Sequence, residues 1–426
     1  MMRRAATGLA VLMLAAAGPA VSAGKLPARD AKIWAAAEGA RAEQLKLLEQ
    51  VVNLDSGTGD VEGGRRVAEI LIPRLKALGM SVETVKAEVD GLPENIVATQ
   101  TGTGKGRILI IAHLDTVFGP GTVAKWPFKI SGDRATGPGV SDEKGGVVEA
   151  VYALQILHVL GFKDFKQITL LIESSEERGS PGTRALIDRL IKDADVELNM
   201  EPGDPPDAVT VWRKGSTVIG ISVKGRAAHA GVAPQDGRNA AEELIHQLRA
   251  VEAFPKTGDG MTLNLTLLSA GARNNIIPED ASATFSLRVR DKADVEKVIG
   301  AMETSARTTA IPDTKVTVTR QTSFPPLPNN AGTDVLAARA EAIYAGLGRT
   351  LGRAGNGGAS ESALAAEAGV PALDGLGPVG GDFHSETEFL DLTTLTPRLY
   401  LLTKLIMELG KAPPPPSLPA RGKGGP

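Results

Sequence analysis

Two histidines and several carboxylates stand at points where the 426-residue chain passes from an apolar run into a polar turn. Ile108-Leu109-Ile110-Ile111 ends in Ala112-His113-Leu114-Asp115, and Ile168 to Ile172 leads to Glu173-Ser174-Ser175-Glu176-Glu177. Val196 to Met200 runs into Glu201-Pro202, and Gly375 to Gly381 leads into Asp382-Phe383-His384. Asp142 follows Gly137-Pro138-Gly139-Val140-Ser141 and sits just before an apolar helix. Ligands of parallel sheets lie beyond the carboxyl ends of the strands, so these placements converge on one sheet edge. His113, Asp142, Glu201 and His384, with one of the Glu176–Glu177 pair, make a set that suits zinc or a similar first-row metal. The chemistry of such a set is metal-assisted hydrolysis, in which one carboxylate holds a metal and a neighbour takes a proton from the activated water. Spacing alone does not say which of Glu176 and Glu177 does which.

Asp142 also fits the N-cap of the following helix. Its flanking glycines and acidic neighbour favour a carboxylate bridging two cations, which in two-metal sites lie about 3.5–4 Å apart. A histidine ligand needs an acceptor for its other ring nitrogen, and Asp115 is within reach of His113 in sequence. There are no cysteines and only five histidines, so disulfides, thiolate metal sites and a cysteine nucleophile are excluded. His158, in an apolar helix, and His246, in a later one, read as structural or surface residues. His229 lies in Gly225-Arg226-Ala227-Ala228-His229-Ala230-Gly231, where small neighbours permit close approach of a substrate.

The elements that must carry these residues follow from periodicity. Helices are expected over 30–55, 62–79, 145–160 and 183–191, with strands at 81–85, 95–99, 107–112, 168–172 and 196–200. Their alternation predicts an α/β catalytic domain with a central, mostly parallel sheet. After Trp212 the order is strand 217–224, helix 238–250, strands 261–269 and 281–290, helix 292–308 and strand 314–320, the βαββαβ order of a ferredoxin-like α+β unit. A proline-rich joint, Phe324 to Pro328, closes it, and a last helix spans about 396–409 with Gly410 just past its end.

The expected divisions are a signal peptide over 1–23, a catalytic domain over 24–212 and 324–410, an inserted domain over 213–323 and a disordered tail over 411–426. Arg3 and Arg4, the apolar run Gly8 to Ala17 and Ala20-Val21-Ser22-Ala23 form a secretory leader, so the protein is expected to be exported, periplasmic or secreted. A net charge of −3 gives no pull toward nucleic acid or an anionic membrane, and no other segment is apolar enough to span one.

Taken together the residues resemble the zinc exopeptidase family that includes aminoacylase, succinyl-diaminopimelate desuccinylase and glutamate carboxypeptidase. His-Leu-Asp-Thr-Val, Gly-Pro-Gly-Val-Ser-Asp, Glu-Glu-Arg-Gly-Ser, Glu-Pro, Gly-Arg-Ala-Ala-His-Ala-Gly, Asn-Ile-Ile-Pro and Phe-His-Ser-Glu occur in the family's order over nearly the whole mature chain. The likeness is greatest to the bacterial glutamate carboxypeptidases of the carboxypeptidase G type. The resemblance implies two Zn²⁺ per subunit: one held by His113 and Glu201, one by Glu177 and His384, with Asp142 bridging and a cis peptide to Glu143. It implies Glu176 as general base, Asp115 as partner of the His113 ring, and His229 as donor to the developing oxyanion. Asn275 and Arg290 would hold the substrate carboxylate, for which the guanidinium fork is suited. Gly358 and Ser360 would come from a substrate loop.

The sequence departs from the family's pattern in two places: Glu143 stands where many members have Asp, and Ala359-Ser360-Glu361 where the nearest relatives read Gly-Thr-Asp. The second departure bears on amino-acid preference rather than on chemistry. The function implied is release of a C-terminal amino acid, glutamate in the first place, from an N-acylated, folate-like or short-peptide substrate by a homodimer joined through the inserted lid domain. An aminoacylase or dipeptidase of the same fold is the alternative. A non-catalytic periplasmic binding protein would be signalled by a missing base or ligand, and none is missing.

Overall fold

The structure is a computed structural model that describes residues 28–415; the leader over 1–23 and most of the C-terminal tail lie outside the described residues. A six-stranded sheet runs in the order Ser81–Val85, Asn95–Thr101, Gln167–Glu173, Arg107–His113, Val196–Asn199, Ala372–Leu373. The last four are parallel, and only Asn95–Thr101 runs against the rest. Strand Arg107–His113 lies inside the sheet and is apolar almost throughout because both of its faces are covered. Ile108, Ile110 and Ala112 pack under helices Ala31–Val52, Lys144–Val159 and Leu395–Lys411. Leu109 and Ile111 turn to the opposite face and meet Leu186 and Ile187 of helix Arg184–Lys192. Each such side chain contributes about 1.5–3 kcal/mol of burial, which fixes the strand's carboxyl end against the helices. Asp30 and Asp60 cap the first two helices, each carboxylate accepting first-turn backbone N–H groups.

The C-terminal helix runs to Lys411, past the expected stop. Gly410 therefore lies inside the helix. It is small for packing rather than for termination: a Cβ there would stand 2.6 Å from the Asp164 carbonyl oxygen.

The second sheet is antiparallel, in the order Thr262–Ala270, Asp280–Val289, Gly215–Lys224, Lys315–Phe324. With helices Ala240–Leu248 and Lys292–Ala306 this is the strand order of a ferredoxin-like unit. Ile219, Ile221, Val223, Phe285 and Leu287 meet Leu244, Val298 and Met302 in a separate core on the helix side. The other face carries Ser216, Val218, Ser286, Arg288, Gln321 and Ser323, which turn toward the carboxyl edge of the first sheet. The chain passes between the two units twice, at Arg213–Gly215 and at Phe324–Leu327. There Arg213 N–H donates to the Leu327 carbonyl (3.0 Å) and Leu327 N–H returns a bond to Arg213 (3.1 Å). Strand Thr262–Ala270 is an edge of its sheet, and Leu265, Leu267 and Leu268 on it are exposed. Among the described residues no helix is long and apolar enough to cross a membrane.

Candidate metal centre and substrate cavity

His113 is the last residue of its strand. Its backbone N–H donates to Glu143 Oε2 at 2.8 Å, and its ring Nδ1 lies 2.9 Å from the main-chain carbonyl oxygen of Asp115. That carbonyl makes Nδ1 the donor and leaves Nε2 as the ligand atom. The ring is therefore oriented by a peptide oxygen rather than by the expected carboxylate, which is 3.5 Å away. The Asp115 carboxylate instead accepts the backbone N–H groups of Glu176 (3.1 Å) and Glu177 (3.4 Å) and the Thr58 hydroxyl (2.6 Å). It shapes the turn that presents the adjacent glutamates.

Two groups of ligand-type residues share Asp142. His113 Nε2 lies 3.3 Å from Asp142 Oδ1 and 3.5 Å from Glu201 Oε1. His384 Nε2 lies 3.3 Å from Asp142 Oδ2 and 3.1 Å from Glu177 Oε2. Glu176 belongs to neither group; its Oε2 is 4.0 Å from His113 Nε2, and its side chain lines the cavity above. Geometry thus separates two carboxylates that spacing could not. The N-cap of the following helix is Glu143 rather than Asp142, with no side-chain capping bond, and the Asp142–Glu143 peptide is cis.

These groups fit cations. His113 Nε2 and Glu177 Oε1 are buried without a hydrogen-bond partner. Burial, then Asp142, raises Glu177 to about 7, and burial, then Glu361, pushes Glu176 well up. Hydrogen bonds to Asp142 and Glu177 raise His384 to about 10. Burial alone would lower His113, but the carboxylates of Glu143, Asp115, Asp142 and Glu201 outweigh it. Such a cluster without a cation must hold protons to exist in a dry site, and a divalent ion replaces them. Chelation is therefore expected to abolish turnover and to lower Tm by about 5–10 °C, both restored by added Zn²⁺. Unchanged melting in protein verified to be metal-free would contradict this.

Several supporting residues carried no local signal. Arg213 is buried and bidentate to Asp374 (2.7 and 2.6 Å), and its Nη2 also donates to Glu201 Oε2 at 3.2 Å. Glu388 accepts the N–H groups of Ser141 (2.9 Å) and Asp142 (3.1 Å). Gly146 lets the helix after Asp142 approach the strand before Glu201: a Cβ there would lie 2.2 Å from the Met200 carbonyl oxygen. Ser360 is buried and donates to Asp374, so it is not open to substrate as expected. Glu361 accepts from Asn199 Nδ2 (3.0 Å), whose Oδ1 receives the Glu201 N–H (3.0 Å). Of the expected substrate loop, Gly358 and its neighbour Ala359 reach the cavity.

A cavity of about 720 Å³ lies between the two sheets, lined by Asp142, Glu176, Glu177, Glu201 and His384 below and by Arg288 above. The expected anchor Arg290 is absent from that lining. It stands past the strand's end, its guanidinium 3.7 Å from the Trp212 ring centroid and 3.2 Å from Asn329 Oδ1. Arg288, two residues earlier on the same strand face, lines the cavity instead. His229 and Asn275 come together on an exposed ribbon where Ala230 N–H donates to the Asn275 carbonyl oxygen (2.9 Å), and neither lines the cavity of its own chain. His229 Nδ1 accepts N–H groups from Gly231 and Val232 (3.1 Å each), leaving Nε2–H as an outward donor.

Fold and site together define a metal-dependent hydrolase built on an α/β sheet edge. Residues 109–408 match the family described as Peptidase family M20/M25/M40. The chain is 34% identical over 387 residues to carboxypeptidase G2 of Pseudomonas sp. (strain RS-16), covering 90% of this chain and 93% of that one. It belongs to this peptidase family and is a metallopeptidase. Its fold is shared with a tripeptidase from Staphylococcus aureus (TM-score 0.72, 21% identity, 87% of this chain and 99% of that one). It is shared as well with a dinuclear metal-binding peptidase from Bacillus subtilis (TM-score 0.62, 14% identity, 88% and 99%).

Proposed function

We propose that the protein is a two-zinc exopeptidase that releases a C-terminal amino acid, glutamate in the first place, from an N-acylated or folate-like substrate. The observation that carries this reading is the pairing of two Asp142-sharing ligand groups with Arg288 on the opposite wall of one cavity. His113 and Glu201 would hold one metal, Glu177 and His384 the other, and Asp142 both. When bound, the metals supply Lewis-acid activation of water and of the scissile carbonyl. Glu176, buried beside them and outside both ligand groups, takes the proton of the attacking water and returns it to the leaving amine. The Arg288 fork holds the terminal carboxylate, and Gly358 leaves room for the backbone beside it. Similarity to carboxypeptidase G2 supports the C-terminal direction of attack. Amino-acid release from N-acyl substrates differing only in the last residue tests the reading. Glutamate should lead; preferred release of another last residue would favour the aminoacylase or dipeptidase alternative.

In this reading residues 213–323 form a lid, 24–212 with 324–410 the catalytic domain, and residues 1–23 direct export to the periplasm or medium. The lid also joins two chains through strand Thr262–Ala270, whose unpaired edge and exposed leucines suit a second copy. His229 and Asn275 then complete the partner's cavity, His229 donating to the oxyanion and Asn275 supporting the carboxylate. Mixing inactive His229→Ala and Glu176→Gln proteins tests this. Subunit exchange should restore up to about a quarter of wild-type activity, the share of intact sites under random pairing. No restoration among verified mixed dimers would place His229 in its own subunit's site or in none.

A further inference from the structure

Ser360 and Glu361 belong to the loop expected to meet substrate, yet the fold buries their side chains, and that of Ser362, beneath the ligand edge. Together the three hold the strand that presents Glu201. Ser360 donates to Asp374, which grips Arg213, whose Nη2 donates to Glu201 Oε2 (3.2 Å). Glu361 Oε2 accepts from Asn199 Nδ2 (3.0 Å), and Asn199 Oδ1 accepts the Glu201 backbone N–H (3.0 Å). Ser362 donates to Glu197 Oε2 (2.9 Å), on the same strand as Asn199.

Glu361 also reaches the other half of the centre. Its Oε1 lies 3.2 Å from the Ser180 hydroxyl, which is 3.0 Å from Glu173 Oε1 as well. Ser180 closes the turn that carries Glu176 and Glu177. Its N–H donates to the Ser175 carbonyl oxygen (2.9 Å), and Gly179 N–H donates to that of Glu176 (2.6 Å). The Ser180 backbone is left-handed (φ 55°), which residues other than glycine rarely adopt, and its hydroxyl is anchored between the two carboxylates. One buried carboxylate therefore spans the two segments that deliver Glu177 and Glu201. Those segments carry like charges and must still keep a fixed separation, because one Asp142 can bridge two cations only at about 3.5–4 Å.

Resting on the two-metal reading, we infer that Glu361 is a positioning residue for the metal pair: it locks the Glu177 turn to the Glu201 strand at the separation that Asp142 bridges. The departure at Ser360-Glu361 then bears on how the metals are held, not on which amino acid is released.

The test measures Zn²⁺ binding by competition with a chromogenic chelator in wild type, Glu361→Ala, Glu361→Gln and Ser180→Ala, with Tm taken for each protein with and without zinc. Wild type should bind two ions. Glu361→Ala should raise the dissociation constant of the weaker ion roughly tenfold or more, the usual cost of losing a group that holds a ligand in place. Glu361→Gln should bind almost as wild type: its carbonyl accepts from Asn199, and its amide donates to the Ser180 hydroxyl, whose proton turns to Glu173. Ser180→Ala cuts one link only and should fall between; it carries the test if Glu361→Ala does not fold. The preference among C-terminal residues should be the same in every variant. Wild-type zinc constants in Ser180→Ala and in folded Glu361→Ala, with Tm lowered equally with and without zinc, would make Glu361 a packing residue and overturn the inference. So would a changed preference with the zinc constants unmoved. A wild type that binds one Zn²⁺ ends the two-metal reading and this inference with it. A wild type that holds two and releases no C-terminal amino acid ends the exopeptidase reading, while the zinc constants still decide the role of Glu361.

Discussion

Glu176→Gln should lower kcat by about 10³-fold, within the 10²–10⁴ range of general acid–base catalysis, while KM changes little. The amide keeps the shape of the side chain and its backbone bond to Asp115 (3.1 Å) but cannot accept the proton. Zinc content and Tm should match wild type, because Glu176 stands outside both ligand groups. Glu177→Gln should do the reverse and lose metal first. A Glu176→Gln protein that holds both metals and turns over near the wild-type rate would put the base elsewhere.

Arg288→Ala should reduce kcat/KM for substrates with a free C-terminal carboxylate by roughly 10- to 100-fold, the value of hydrogen bonds to a charged group. Most of the loss should fall on KM, since the carboxylate is the same in ground and transition states. Arg288→Lys should recover only part, because an ammonium is a point charge without the fork. The informative quantity is discrimination between a free carboxylate and the corresponding C-terminal amide. It should collapse in Arg288→Ala and persist in Arg290→Ala, whose guanidinium is stacked on Trp212. The opposite pattern would restore Arg290 as the anchor.

The contrast between these two arginines marks the limit of the sequence. Both lie on one face by the alternation of Asp280–Val289, so periodicity cannot separate them; what does is where the strand ends. The ligand edge was legible because each ligand follows an apolar run or a glycine-rich turn within a few residues. The bonds that hold those ligands were not. Glu388 and Ser141 are 247 residues apart, and Arg213 and Asp374 are 161 apart. Such contacts exist only once the sheet has formed. Ser360 looked like a loop residue open to substrate until Asp374, 14 residues on, claimed its hydroxyl. His229 and Asn275 were chosen from sequence, yet the fold sets them on an exposed ribbon away from the cavity of their own chain.

Arg213 joins two features described separately. Its backbone takes part in the paired crossing with Leu327, and its side chain grips Asp374 and Glu201. If the upper unit is the lid proposed above, a swing that began at Arg213 would disturb the ion pair to Glu201, so its pivot falls one step further on. Lys214 and Gly215 on one crossing and Pro325 and Pro326 on the other occupy that step, where a Cβ on Gly215 would lie 2.7 Å from Pro326 N. A lid pivoting there would change the cavity's width while the charges around Glu201 stayed in place, like a door whose frame is bolted to the wall behind it.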